Sequence, residues 1–302
     1  MNSTITSHEL QQLIASDSVS LIDVLLPEDF ACRHIAGAGN ACVYEMVFQD
    51  RIAECVPDYD RNVVVYDDSG TTLAARTARE KLERAGYRNV AILEGGLHAW
   101  QAAGFEVESG APVPQQATVR DGVYRVDAEK SVVEWTGRNI NNRHHGRIAI
   151  SGGEVVLANG RPVSGRFVLD MNTITNLDLQ DEGWRGMLLR HLKSEDFFDV
   201  ERYPTATFEL RGAAAITETT PGTPNVEIEG SLTIKDTARS IRFPAIIAAQ
   251  EDGGLKAQAA FDLDRTLWSV SYGSGKLYER LGMHLVNDLI SIELFIVARE
   301  AV

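Results

Sequence analysis

The chain has 302 residues, 44% of them hydrophobic and 24% charged, enough for two globular domains with ordinary cores. A net charge of −14 argues against nucleic acid, whose phosphates select basic surface, and against purely electrostatic docking on anionic lipid. No apolar run approaches the roughly 20 residues of a membrane-spanning helix, so a membrane-embedded protein is not expected.

Residues 1–7 have neither a basic start nor an apolar stretch, so they do not read as a secretory signal, and a cytoplasmic location is expected. Residues 20–24 read as a short strand, and the run Val63, Val64, Val65, Tyr66 as a strand buried on both faces. An Ala/Arg/Glu-rich helix is expected over 71–85, stopped by Gly86, followed by a strand at Asn89–Leu93. Gly95 and Gly96 turn the chain into a helix carrying Leu97 and Trp100. This alternation predicts an α/β domain over 1–108, a parallel sheet with helices on both faces. Cys32, Cys42 and Cys55 are too few, and odd in number, for a disulfide framework.

Small residues, two prolines and no periodicity mark 109–121 as a linker. From 122 to 302 the texture is β. Strands are expected at Gly122–Val126, 132–136, 167–169, 206–210, Val226–Ile234 and 290–294, the last three alternating apolar and polar residues as antiparallel strands with one buried face do. Many strands and few helices predict a barrel or sandwich. Trp184, Met187, Leu188, His191 and Leu192 recur at helical spacing, a short helix that either caps the β structure or forms a lid over a ligand mouth.

Several separated stretches of the first domain resemble the rhodanese family: Leu21, Ile22, Asp23, Val24, then Pro27 to Phe30; His34 to Asn40, like its HIPGAxN signature; and Glu94 to Trp100, like its GGxxAW signature. The resemblance implies an active-site loop opening with a cysteine, whose backbone N–H groups cradle an anion. Here the loop reads Asp67, Asp68, Ser69, Gly70, Thr71, Thr72. A carboxylate cannot accept a sulfane sulfur, because persulfide chemistry needs a thiolate. Thr72 and Leu25 stand where the family often has arginine, so no catalytic residue is assigned and sulfur transfer is not expected.

The second domain resembles the YceI-like, lipocalin-like family through Tyr124 to Asp127, Ser131 to Gly137, and the strongest stretch, His191 to Asp199 followed by Tyr203 to Phe208. His144 to Gly146 with Gly152 and Gly153, read as the next strands, Gly165 to Met171, Gly230 to Asp236, Asp264 to Trp268 and Tyr272 to Gly275 continue it. The resemblance implies an eight-stranded antiparallel barrel around an elongated apolar pocket for polyisoprenoids or other long amphiphiles. Trp135, Phe167, Trp184, Met187, Leu188, Phe208 and Trp268 are the candidate ligand-binding residues, with core packing as the other reading of the tryptophans. The barrel is alternatively plugged by Trp135, Phe167, Phe208, Phe261 and Phe295. His144, His145, His191 and His284 form no compact ligand motif, so neither a metal nor a cofactor is expected.

The leading expectation is a cytosolic binding protein for an apolar or amphipathic small molecule, with a catalytically silent rhodanese domain in a structural or partner-binding role. A homodimer is compatible with the sequence. Two alternatives stand beside it: an enzyme acting on sulfur or lipid through a displaced cysteine, and a protein-interaction scaffold with an empty barrel.

Overall fold

The structure is a computed structural model and describes residues 3–110, 112, 117–217 and 219–301. The chain divides into two compact units, residues 1–115 and 116–302. Of the linker expected at 109–121, residues 111 and 113–116 lie outside the described residues. Residue 109 is not linker but the end of a strand, so the first unit runs past the expected boundary at 108. No helix among the described residues is long and apolar enough to cross a membrane.

In chain order the first unit comprises β1 (Thr4–Ile5), α1 (Ser7–Ala15), β2 (Val19–Asp23), α2 (Pro27–Cys32), β3 (Arg33–Ile35), β4 (Gly39–Asn40), α3 (Phe48–Cys55), β5 (Asn62–Tyr66), α4 (Ala74–Ala85), β6 (Asn89–Leu93), α5 (Gly96–Ala102) and β7 (Val107–Ser109). Strands β1, β6, β5, β2 and β4 form one parallel sheet in that order, and β3 pairs antiparallel with β7. The β-branched run in β5 feeds both faces. Val63 and Val65 pack with Phe48 and Ile52 of α3 and Leu82 of α4, whereas Val64 and Tyr66 pack with Leu10 of α1 and Trp100 of α5. Helix α4 starts at Ala74, three residues later than the sequence suggests, because side chains of the preceding loop claim its backbone donors. It ends at Gly86 in the left-handed conformation.

Asp23, at the end of β2, is buried and accepts the Leu25 N–H at 2.9 Å. Burial raises its carboxyl from the ordinary 3.8 to about 6, against the lowering effect of the Leu25 and Tyr66 hydrogen bonds. A carboxyl raised in the folded state adds stability below the unfolded-state value, and that stability is lost as pH climbs through the folded one. The wild type should therefore lose stability between pH 4 and 6 on this account, by about 3 kcal/mol. Asp23→Asn keeps the acceptor for Leu25 and removes the titration. Urea unfolding of both proteins from pH 4 to 7 should show the variant gaining on the wild type across that window. Parallel profiles would refute the assignment.

The second unit holds β8 (Gly122–Val126), β9 (Val132–Arg138), β10 (Arg143–Ala158), β11 (Arg161–Asp170), α6 (Glu182–Lys193), β12 (Thr205–Ala215), β13 (Val226–Ile234), β14 (Thr237–Ala249), β15 (Leu255–Asp264) and β16 (Leu289–Glu300). All pairings are antiparallel, and β10 closes the sheet onto β11. Nine strands make eight staves. β8 and β9 share one place, lying end to end between β16 and β10: residues 298–300 of β16 pair with β8 and 291–295 with β9. An eight-stave closed barrel follows.

In this unit β14 and β15 escaped the sequence reading, and β10 was signalled only by the resemblance at His144 to Gly146 with Gly152 and Gly153. In β10 the register slips between Ile150 and Gly152, so the inward face moves from the even positions, His144 to Ile150, to the odd ones, Val155 and Leu157. β14 carries Pro244, a residue that argues against a strand interior, and β15 builds its inward face partly from Ala257 and Ala259, whose strand propensity is low.

Candidate functional site

Every stave sends alternate side chains inward, and they do not fill the lumen. A cavity of about 340 Å³ runs inside the barrel with an almost wholly apolar lining. Its volume lies in the range of small-molecule sites, roughly 300–1,000 Å³.

The large residues that could have plugged the barrel lie along its wall. A Cβ on Gly146 would strike the Thr175 carbonyl and come within 2.9 Å of Trp135 Cζ2, so the bare backbone there makes room for the indole. Gly230 does the same for Phe208, and Gly153 sits opposite Phe167, where an added Cβ would come within 3.1 Å of the ring Cδ1. Phe243 and Phe261 stack with centroids 4.2 Å apart. Phe295 is 39% exposed and does not line the cavity.

Of the sequence-proposed ligand residues, Trp135, Phe167, Leu188 and Phe208 line the cavity. Trp184, Met187 and Trp268 do not. Trp184 and Met187 are 63% and 48% exposed, because the inward face of α6 is the narrower stripe Leu188, His191, Leu192. Trp268 is core: it is buried against Leu232 and Leu263, and its indole N–H donates to the Leu232 carbonyl at 2.9 Å.

The polar lining gathers mainly at the end where α6 lies: Arg138, Asn139, Asn142, His144, His191 and Tyr272. There His144 Nδ1 lies 2.8 Å from Asp178 Oδ2, and the His145 N–H and Asn176 Nδ2 donate to Asp178 Oδ1 at 2.8 and 2.6 Å. Burial acts to raise the Asp178 carboxyl, but the hydrogen bonds from His145, His144 and Asn176 outweigh it and hold the group below its ordinary value. An ionised carboxylate only accepts, so His144 donates through Nδ1. His191 packs edge-on to Phe197 and Tyr272, with centroids 5.0 and 4.3 Å away. Asn176 and Asp178 had drawn no notice in the sequence, where single polar residues in a loop carry no pattern.

Arg265 is the other charged group on the cavity wall, 2% exposed. Its guanidinium donates to the carbonyls of Asn287, Val270 and Val286 at 3.0, 2.6 and 3.1 Å, tying the segment before β16 to the barrel. Burial pushes its pKa down against the pull of Asp288 and Asp264. Among the described residues no group of three His, Cys, Asp or Glu side chains is placed to hold a metal.

A second constellation sits in the first unit. Asp67, 1% exposed at the end of β5, accepts the Gly70 N–H at 2.5 Å through Oδ1 and the Thr72 hydroxyl at 2.7 Å through Oδ2. Thr72 Oγ1 accepts in turn from Ala74 N, at the start of α4. The backbone carbonyls of Asp67 and Asp68 receive the N–H groups of Leu97 and His98 in the first turn of α5. This approach is close enough that a Cβ on Gly96, where φ is +58°, would strike the Asp67 carbonyl. Asp68 pairs with Arg33 at 3.1 Å and lies 3.3 Å from His98 Nε2, so a cation that the sequence reading did not credit does reach the loop. The cysteines lie apart from these bonds. Cys32 is buried, its thiol donating to the Pro112 carbonyl at 3.2 Å, and Cys42 is buried. Burial and then Glu54 push the exposed Cys55 thiol up, away from thiolate.

The YceI-like domain family model matches residues 124–298, more than half of the chain. The chain belongs to the YceI-like family. A rhodanese-like domain model matches residues 6–103, so the protein is a fusion of the two. An HTH-type transcriptional regulator of Mycobacterium tuberculosis is 36% identical over 109 residues, which are 36% of this chain and 46% of that protein. The chain thus spans less than half of that relative's length. Among solved structures, BcnA of Burkholderia cenocepacia is 23% identical, with 57% of this chain and 98% of that one covered and a TM-score of 0.45. A polyisoprenoid binding domain from Saccharophagus degradans is 12% identical, with 60% and 100% covered and a TM-score of 0.45. The YceI-like barrel thus carries the cavity and its polar mouth, and the rhodanese-like unit carries the carboxylate-filled loop.

Proposed function

We propose that the YceI-like barrel binds one slender apolar or amphipathic molecule, of lipid or isoprenoid kind, and that the rhodanese-like unit serves a structural or partner-binding role without transferring sulfur. The apolar cavity carries this reading. Each buried CH₂ contributes about 0.8 kcal/mol, so a hydrocarbon tail of a few isoprene units is held there without any charged contact. The loop at Asp67 supports the second half: its own carboxylate takes the donors a bound anion would need, and it offers no thiolate.

Titration of the full chain with a fluorescent fatty acid or isoprenoid analogue tests the proposal, together with mass spectrometry of an organic extract of the natively purified protein. Saturable one-to-one binding is expected. The faces of α6 give a sharper expectation. Leu188→Asp puts a carboxylate on the apolar lining and should weaken binding at least tenfold. Met187→Asp changes an exposed position and should leave the affinity within about twofold. Equal losses in both would mean that α6 acts as a whole and not through its inward stripe. If no probe saturates, the binding reading fails and the scaffold reading replaces it.

A further inference from the structure

The exposed large apolar side chains of the first unit gather at one end. Met46 projects wholly into solvent, and Leu26, Tyr44, Val47 and Leu73 are 45–67% exposed. Each lies in a segment leaving the C-terminal end of β2, β4 or β5, three strands that stand side by side in the sheet. Val24 N–H donates to the Tyr66 carbonyl and Ala41 N–H to the Asp23 carbonyl, so the three exits leave the sheet at one level. Elsewhere in this unit, among the described residues, only Tyr59 is of this kind, and it precedes β5 at the opposite end.

Local chemistry does not account for them. Leu26, Val47 and Leu73 are the N-cap residues of α2, α3 and α4, and none of the three side chains bonds a free helix N–H. Serine, threonine, aspartate and asparagine serve well at that position and aliphatic residues serve worst. The chain uses good caps elsewhere: Thr6 closes a capping box on α1, and Asp181 caps α6. Three aliphatic caps in solvent at one end of a sheet forgo both capping and burial, and a contact from outside the unit would restore the second.

Charge narrows what makes that contact. The exit segments 24–30, 41–50 and 67–73 carry Glu28, Asp29, Glu45, Asp50, Asp67 and Asp68 and no lysine, arginine or histidine. Asp67 is taken up inside its loop and Asp68 by Arg33. Glu28, Asp29 and Asp50 stand in the first turns of α2 and α3, where they complement the helix N-termini. Among the described residues neither they nor Glu45 form an ion pair. Of the nearby cations, Lys81 donates to the Val43 carbonyl at 2.7 Å, and Arg51 and Arg76 lie one turn into α3 and α4. An acidic end of this kind repels anionic lipid, and a second copy would bring carboxylates against carboxylates across a twofold axis. A polypeptide with lysine or arginine beside apolar side chains answers both features.

Deepening the partner-binding half of the function proposed above, we infer that this end of the rhodanese-like unit docks a basic, apolar-anchored segment of another protein. The aliphatic caps with Tyr44 and Met46 supply the apolar seat, and Glu28, Asp29, Glu45 and Asp50 the rim that selects cations. In open α/β sheets the region beyond the carboxyl ends of the strands is where ligands settle.

The test selects short random peptides displayed on phage against the full chain and measures the winners, made synthetically, by fluorescence anisotropy. Selected sequences should combine lysine or arginine with large apolar residues. Met46→Ser with Leu73→Ser removes apolar contact without changing charge and should weaken their binding at least about tenfold. Serine is a better cap than leucine, so this variant should melt no lower than the wild type, which separates lost docking from lost folding. Glu28→Gln with Glu45→Gln should cost about fivefold at low salt and far less at high salt. Tyr59→Ser, at the opposite end, should leave the affinity within about twofold. Acidic or uncharged winners would overturn the basic partner. Winners that bind the Met46→Ser, Leu73→Ser variant as tightly as the wild type would overturn this surface and leave the partner-binding reading intact on another face. A dimer in sedimentation that the same variant dissociates would put a second copy there instead. No enrichment at all would sink the partner-binding role itself and leave the structural one.

Discussion

Replacing Arg265 with methionine is expected to destabilise the barrel by about 4 kcal/mol, within the range for stripping one partner from a buried charged network. Methionine has nearly the length of the arginine stem but none of its donors. The carbonyls of Asn287, Val270 and Val286 would lose their partner together, and the buried Asp288 Oδ1, which has no hydrogen-bond partner among the described residues and sits 3.9 Å from the guanidinium, would be left with Lys276, 3.4 Å from the other carboxylate oxygen, as the cation beside its carboxylate. In calorimetry, the transition of the second unit should fall by roughly 10 °C, given a few degrees per kcal/mol for a domain of this size. Arg265→Lys should recover little, since a single ammonium cannot serve three diverging carbonyls. Because Arg265 fastens the segment that presents Tyr272 and Val286 to the cavity, ligand affinity should drop along with stability. A shift under about 2 °C would show that the carbonyls find other partners and that the arginine is not the fastening.

Asp67→Cys should give little sulfurtransferase activity from thiosulfate, and the combination with Asp68→Asn and Thr72→Arg should raise the rate by one to two orders of magnitude. A cysteine at 67 would inherit the Gly70 N–H and the Thr72 hydroxyl, so its thiolate gains some support. Asp68 still faces the incoming anion, and it occupies both the Arg33 guanidinium and the His98 ring. Neutralising it releases both, and an arginine at 72 adds a fork of donors. Charge-assisted hydrogen bonds of this kind are each worth about 1.5–3 kcal/mol, hence the tenfold to hundredfold steps. Steady-state turnover with thiosulfate and cyanide measures it. A single Asp67→Cys variant as fast as the triple one would show that the loop was electrostatically ready and lacked only its nucleophile.

What the chain revealed before folding depended on whether one residue's neighbours in sequence were also its neighbours in space. β6 and β13 were found to the residue, because a buried parallel run and a clean alternation are local signals. β10 gave no strand pattern of its own and was signalled only by the family resemblance at His144 to Gly146 with Gly152 and Gly153: three glycines and a register slip erase its period, and their purpose, room for Trp135 and a change of inward face, exists only once β9, β11 and the loop at Thr175 are in place. The stripe on α6 was legible but too wide, since a helical wheel cannot tell how deep a helix sits, and Trp184 and Met187 fall on the solvent side of that line. Asp67 illustrates a third case. Its position spoke against thiol chemistry, yet that its carboxylate folds back onto Gly70 and Thr72 is a matter of loop geometry. The Asp178 to His144 contact spans 34 positions and had no local trace at all.

The glycines behind the rings make the calibre of the barrel a property of its wall. A side chain at 230 meets the Phe208 ring, one at 146 meets the Trp135 indole, and each ring has the lumen on its other side. The backstop, not the lining, therefore decides how far a ring stands into the bore. Glycine is already the smallest residue, and a Cβ at 146 or 230 would also strike the carbonyl of Thr175 or Glu209, so the bore at these two rings is fixed by the backbone behind them and changes only with the ring itself. Under the binding reading proposed above, the width of chain that the lumen admits is thus set by backbone behind the rings, apart from the few polar side chains gathered at one mouth.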